Sequence, residues 1–277
     1  MKILLSDYVL ATKFYNERER IPTLVENISQ QVQPPKAILF VDDGSTDGSG
    51  EIAKEAATQH GFVHRIVSMP QKAKGNLDTL GRAWNKAQPA LLDLLQNTDY
   101  LALTDVDTEF PVDYFGKMTT YLKANPNVGV VAGQVKGESK RSFPMFTGKV
   151  VRSDVIQSID KYWDISIDSF VNVKALKLGY KLVILEDMLV SSPPSHLLTE
   201  KGKFRLGRLA FYSGVDVIYV LVKGIVRHDA NYLRGYWSEW SRGAWRCQDK
   251  DILEYYESQL KRKLMTMVRK LLRIRED

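Results

Sequence analysis

Short apolar runs alternate with amphipathic stretches of helical period over the first two thirds of the chain. The apolar runs cover residues 8–14, 37–41, 62–69, 100–104, 128–132 and 179–185 and are rich in β-branched and aromatic residues. Residues 101–103 show no alternation of polar and apolar positions, the mark of a strand covered on both faces in a parallel sheet. Between the runs, Ile21, Leu24, Val25 and Ile28 fall at i, i+3, i+4 and i+7. Three further helices are marked by Ile52, Ala53 and Ala56, by Leu77, Leu80, Trp84 and Ala87, and by Phe115, Met118 and Leu122. Pro22 is tolerated in a first turn, Gly61 stops the second helix and Pro111 opens the fourth. Strands and helices in this alternation predict right-handed βαβ units, hence an α/β fold with a doubly wound, mostly parallel sheet.

Two of the predicted strands end in acid-rich turns. Asp42-Asp43-Gly44-Ser45-Thr46-Asp47-Gly48 follows the second, and Asp105-Val-Asp107 follows residues 100–104. Acids separated by one residue need a local bend before both carboxylates converge on one ligand. At the carboxyl end of a strand, such a bend places them in the crevice where open α/β sheets bind ligands. Converging carboxylates repel unless a cation intervenes, and hard divalent ions take oxygen ligands. The pattern predicts a metal site for a phosphorylated ligand, with a solvated acidic loop as the alternative for an Asp-x-Asp taken alone.

Tyr15-Asn16-Glu17, Val41 through Asp47 and Asp105-Val-Asp107, in this order and spacing, closely resemble the family 2 glycosyltransferases of GT-A fold, over roughly residues 8–185. The resemblance implies a Rossmann-like GT-A domain. Its first two motifs would embrace the base and ribose of a nucleotide-diphosphate sugar, and its Asp-x-Asp would bind Mn²⁺ or Mg²⁺ on the diphosphate. Carried onto this chain, it makes Tyr15, Glu17, Asp43 and Asp105 nucleotide-sugar-binding residues and Asp107 the metal ligand, with Asp105 reaching the ribose or the metal. A tyrosine ring can stack on a base at little entropic cost, and Asp43 can accept a hydrogen bond from a base or ribose. Asp42 and Asp47 also fit turn-making and helix capping.

The same resemblance places a catalytic base eleven residues before Gly179-Tyr180, at Ile167-Asp168, where the family commonly has Glu-Asp. Asp168 would deprotonate an acceptor hydroxyl for an inverting single displacement. Asp164, one helical turn earlier on the same face, is its rival. A lipid-phosphate acceptor would need no base, and Asp168 would then position it. Gly75-Asn76 and Gly148-Lys-Val-Val-Arg152 resemble donor-covering and acceptor-shaping segments, with a helix start and a structural turn as the respective alternatives. Glu186-Asp187 read as loop acids beyond the last strand, and His196 as a loop residue able to enter a metal shell. The Gln-x-x-Arg-Trp of processive members has no match in Glu239-Trp-Ser-Arg242-Gly, so transfer of one sugar is expected.

After Pro193-Pro194 the character changes. Residues 1–195 are expected to form the catalytic domain, with a nucleotide-sugar half to about 110 and an acceptor half beyond it. Residues 196–277 are expected to form a helical, basic and aromatic region. Tyr232, Tyr236, Trp237, Trp240 and Trp245 interleave with Arg234, Arg242 and Arg246, a mixture suited to a membrane interface or to packing on the body. In the tail, Leu260, Leu264, Met267, Val268, Leu271 and Leu272 share one helical face and Arg262, Arg269, Lys270 and Arg273 the other. Such a helix suits an anionic bilayer, at about 1 kcal/mol per basic residue, or docking on the body or another subunit. The net charge of +6 points the same way. The basic residues form no nucleic-acid reading motif. With a single cysteine, Cys247, no internal disulfide is possible, and no uncharged run approaches the roughly 18–20 residues that span a bilayer. The opening residues are too soon charged for a secretory leader. The expected place is cytoplasmic, peripheral to the cytoplasmic face of the membrane. The acceptor is expected to be a sugar, glycolipid or polyprenyl phosphate. Two other classes remain: a nucleotide-sugar-binding scaffold that has lost catalysis, suggested by Ile167, and a phosphatase of haloacid dehalogenase type, which disfavours Glu109 two places beyond its second Asp.

Overall fold

A computed structural model describes residues 7–71, 80–139, 143–163, 167–193 and 199–265. Two units are distinguished, Met1–Pro193 and Pro194–Asp277. In chain order the first contains β1 (Tyr8–Phe14), α1 (Ile21–Ser29), β2 (Ala37–Asp42), α2 (Ser49–Gln59), β3 (His64–Ser68), α3 (Leu80–Leu95), β4 (Tyr100–Thr104), α4 (Tyr114–Ala124), β5 (Val128–Val135), β6 (Lys149–Arg152), α5 (Ser153–Gln157), α6 (Ile167–Lys177) and β7 (Lys181–Val190). The strands form one sheet in the order β3-β2-β1-β4-β6-β5-β7. Every pairing is parallel except those of β6, which runs antiparallel to both β4 and β5.

The apolar pattern explains the centre of this sheet. All of β2 and β4 is buried, as is all of β1 except Lys13, so these strands carry apolar side chains on both faces. α1 presents Ile21, Leu24, Val25 and Ile28 to the core, the four positions its period singles out. On the α4 side, Tyr8, Phe110, Tyr114 and Phe115 stack and tilt against one another at centroid separations of 4.8–5.3 Å. The wholly buried Tyr114 hydroxyl donates to the Gly148 carbonyl at 2.8 Å and accepts from the Gly133 N–H at 2.7 Å. One phenol thereby joins β5 to the turn that starts β6.

Three readings need correction. Gly148–Arg152 is not a plain turn: Gly148 is one, and the next four residues form β6, buried in the sheet. The helix behind Pro111 begins only at Tyr114, because the Pro111 carbonyl accepts the Tyr114 N–H at 3.0 Å and closes a turn first. Glu186 and Asp187 lie within β7, not beyond it. The register jumps from Gly133↔Leu185 to Gln134↔Leu189, and this bulge leaves the two acids exposed.

The second unit is helical: α7 (Glu200–Tyr212), α8 (Val217–Val226), α9 (Ala230–Ser241) and α10 (Lys250–Glu257). The side chains of Thr199, Asp216, Asp229 and Asp249 each accept first-turn N–H groups, so all four helices are capped by sequence-local chemistry. α7 and α9 cross where Gly207 meets Gly235, since a Cβ on Gly207 would lie 2.0 Å from the Tyr232 carbonyl oxygen. Phe211, Val215, Tyr219, Val220, Tyr232 and Tyr236 form the unit's core. Among the described residues no helix is long and apolar enough to cross a membrane. Residues 266–277, which hold most of the predicted basic tail, lie outside the described residues.

Candidate active site

β1, β2 and β4 are parallel and in close register, Thr12 opposite Thr104 and Phe14 opposite Asp42, so their carboxyl ends share one rim. The chain builds β2 and β3 to one side of β1 and then crosses to place β4 on the other. A crevice opens at such a reversal. Tyr15 and Glu17, Asp43, and Asp105 and Asp107 leave the sheet at this rim from three different strands.

The two loops nearest β1 are laced together. Asn16 takes a left-handed backbone (φ 55°) that asparagine tolerates, and its Oδ1 accepts the Thr46 N–H at 2.8 Å. The Asn16 N–H donates to Ser45 Oγ at 3.0 Å and the Glu17 N–H to Ser49 Oγ at 2.9 Å. Asp42 Oδ1 accepts the Ser45 N–H at 2.8 Å, making the turn. Asp47 accepts the N–H groups of Ser49 and Arg18 and fixes the start of α2 to the loop after β1. Asp42 and Asp47 thus do the structural work their residue types suggest. Asp43 is buried and its Oδ2 accepts from Lys13 Nζ at 2.8 Å. Gly44 (φ +84°) lets this turn lie against the chain, where a Cβ would meet the Pro70 carbonyl oxygen at 2.6 Å. Tyr15 is exposed at the same rim.

On the other side of β1, Asp107 and Asp168 each come within electrostatic reach of Asp105. Burial first, and then the charges of Asp107 and Asp168, push the Asp105 carboxyl up to about 7, opposed by a hydrogen bond from Thr147 and by the nearby Lys13. Thr147 Oγ1 lies 3.3 Å from Asp105 Oδ2. Lys13 therefore pairs with Asp43 and also acts on Asp105 through its charge. Arg20 links Glu17 to Asp107 across the crevice, with Nη1 at 3.1 Å and 3.8 Å from the two carboxylates. Asp168 is buried in the first turn of α6. Its carbonyl and Asn172 Oδ1 accept from Lys149 Nζ at 2.9 and 2.8 Å, and Asn172 Nδ2 donates to the Pro144 carbonyl at 2.8 Å. Lys149 is wholly buried, and that burial pulls its ammonium down to about 7, with the Asp168 charge opposing.

Lys13, Arg20, Thr147 and Lys149 are the residues that the sequence pattern did not single out. A lysine at the end of one apolar run and another at the head of a second were the available signals. Asp164, Gly75-Asn76 and His196 lie outside the described residues.

Among the described residues no three His, Cys, Asp or Glu side chains form a group that could hold a metal unaided. The donor chemistry nonetheless fits a hard divalent ion bound in the usual way of such ions, by one or two carboxylates completed by phosphate oxygens and water. Asp105 and Asp107 would be those carboxylates, and the Asp107 charge that adds to burial in raising Asp105 is a repulsion that a cation would relieve.

The profile of "Glycosyl transferase family 2" matches residues 10–172, more than half of the chain. The chain is 27% identical over 128 residues to the poly-beta-1,6-N-acetyl-D-glucosamine synthase of Staphylococcus epidermidis, a match over 46% of this chain and 28% of that protein. It is 27% identical over 131 residues to the polyprenol monophosphomannose synthase of Mycolicibacterium smegmatis, over 47% of this chain and 46% of that one. The match thus spans between about a quarter and a half of the length of these curated relatives. The mannosyltransferase PcManGT from Pyrobaculum calidifontis, solved with GDP-Man and Mn²⁺, superposes with a TM-score of 0.58 at 19% identity, covering 75% of this chain and 62% of that one. That likeness shows the fold.

Proposed function

This chain belongs to glycosyl transferase family 2, and from that premise we propose that it moves one sugar, with inversion, from a UDP- or GDP-sugar to a hydroxyl or lipid-phosphate acceptor at a membrane surface. The observation that carries the reading is that Asp105 and Asp107 follow the carboxyl end of β4 in a family 2 chain, with Asp168 of α6 close enough to raise the Asp105 carboxyl. Membership in the family sets the haloacid-dehalogenase reading aside.

In this reading Tyr15 offers its exposed ring to the base. Asp43, held by Lys13, accepts a hydrogen bond from the base or ribose. Glu17, held by Arg20, completes the nucleotide side. Asp107 is the metal ligand and Asp105 serves the ion or the ribose. Bound Mn²⁺ or Mg²⁺ would supply Lewis-acid stabilisation of the departing nucleoside diphosphate. Asp168 accepts the proton of an acceptor hydroxyl as its oxygen attacks the anomeric carbon. For a phosphate acceptor, already an anion, Asp168 orients the nucleophile instead. Ile167 stands where the family commonly has Glu, which suits this second role of Asp168 as well as the first.

The PcManGT complex with GDP-Man and Mn²⁺ and the polyprenol-directed relative support donor and acceptor classes of these kinds. Donor turnover with Mn²⁺ tests the proposal: wild type should release nucleoside diphosphate, while Asp107→Ala should lose at least about a hundredfold. Equal turnover by the two proteins would remove the metal role, and none by either would favour a binding protein without catalysis.

A further inference from the structure

The helical unit carries a surface that its own core does not use. α8 turns Tyr219, Val220 and Gly224 inward, and a Cβ on Gly224 would collide with Leu233 of α9 at 2.4 Å. Its other face holds Val217, Ile218, Leu221, Val222, Ile225 and Val226, which are 37–71% exposed. These positions recur at i, i+1, i+4, i+5, i+8 and i+9, so they form one aliphatic stripe with no polar residue in it. On α9, Leu233, Trp237 and Trp240 follow at i, i+4 and i+7, so the side of α9 that meets Gly224 continues into two exposed indoles.

Charge is divided unequally along the chain. Residues 194–277 hold seventeen Lys and Arg against ten Asp and Glu, a net of +7, whereas residues 1–193 hold 22 against 23, a net of −1. Two of these cations lie over rings of the unit's own core. Lys223 Nζ sits 4.3 Å from the centroid of the Tyr232 ring and Lys263 Nζ 5.1 Å from that of Tyr219. Burial and the nearby Arg227 and Lys263, opposed by Asp229, bring the Lys223 ammonium down to about 8.

We infer that the α8 stripe docks into the surface of an anionic bilayer, toward which the net positive charge of this unit draws it. The inference rests on the membrane-surface reading above and assigns it to a specific element. With 10 residues, α8 is about 15 Å long, half the thickness of a hydrocarbon core, so it lies in the interface and does not cross. A second copy is a poorer occupant, because each would bring a net of +7 to the contact. Indoles beside aliphatic side chains and cations are the composition of a membrane–water boundary.

Co-sedimentation of the full chain with phosphatidylglycerol–phosphatidylcholine vesicles, and with phosphatidylcholine vesicles alone, tests this. Wild type should bind the anionic vesicles at least about tenfold more tightly. The pair Ile218→Glu and Ile225→Glu should lose at least about tenfold of that binding while keeping wild-type donor turnover in solution. Arg227→Gln with Lys263→Gln should weaken binding to anionic vesicles only. Wild type that ignores anionic vesicles, or a Glu pair that binds as wild type does, overturns the inference. A wild-type dimer that the Glu pair converts to monomer, without vesicle binding, makes the stripe a contact between copies and also overturns it. If Arg269→Gln with Lys270→Gln and Arg273→Gln abolishes binding while the Glu pair does not, the membrane-surface reading survives and the role of α8 falls.

Discussion

Lys149 Nζ donates to the main-chain carbonyl of Asp168 at 2.9 Å, so a wholly buried lysine on β6 fixes the first turn of the helix that carries the proposed base. The second acceptor, Asn172 Oδ1 at 2.8 Å, lies one turn further along the same helix. Sheet and helix are therefore joined beneath the site by one cation.

Stability should report the state of that cation. The Lys149 pKa is lowered from its ordinary 10.5 to about 7, so between these values the unfolded chain binds the proton that the folded chain releases. Folded stability then rises with pH, by up to about 1.4 kcal/mol per unit. Lys149→Met lacks this term and takes the donor from the buried Asn172 Oδ1, at about 1–3 kcal/mol. The gap in melting temperature, wild type above variant, should widen from pH 7 to pH 9. A constant gap would contradict the assignment.

The Lys13–Asp43 pair should behave as a coupled unit. Both side chains are largely buried and 2.8 Å apart, so removing one takes the ion pair from the other. Lys13→Met and Asp43→Asn should each destabilise in urea unfolding, Lys13→Met by about 3 kcal/mol because it removes the paired cation from a buried carboxylate. The double variant should cost less than the sum of the two, which is the signature of direct interaction.

Gly148→Ala should be damaging out of proportion to one methyl. The position needs φ +73°, and the added Cβ would meet Phe110 at 2.5 Å and the Tyr114 hydroxyl at 2.8 Å. Left-handed backbone and overpacking together cost about 2–5 kcal/mol. Thermal melts check this, and a loss below about 1 kcal/mol would mean that the turn relaxes freely.

Arg20→Ala should leave the fold almost untouched. The arginine is more than half exposed and its contact with Asp107 is 3.8 Å, so the stability change should stay within about 1 kcal/mol. Urea unfolding is the check.

Where the sequence was legible, the reason is physical. β1, β2 and β4 are strands buried on both faces, and the acids that end them had to emerge at one rim once the strands were parallel. β6 was not legible because it is four residues long and starts with a lysine, whose burial is made possible by the Asp168 carbonyl and Asn172, 19 and 23 residues away in sequence. Glu186 and Asp187 resembled a loop because a charged pair ordinarily ends a buried strand, and only the bulge in β7 lets two acids face solvent inside one. The exposed face of α8 was not legible either, because periodicity reveals that a face is apolar, not what covers it.

The most direct measurement is anomalous diffraction from crystals soaked with a nucleoside diphosphate and Mn²⁺. A manganese peak at the Asp107 carboxylate, with the diphosphate beside it and the base on the Tyr15 side, is the predicted result. A nucleotide bound elsewhere, or one bound at this rim with no manganese at Asp107, would contradict it.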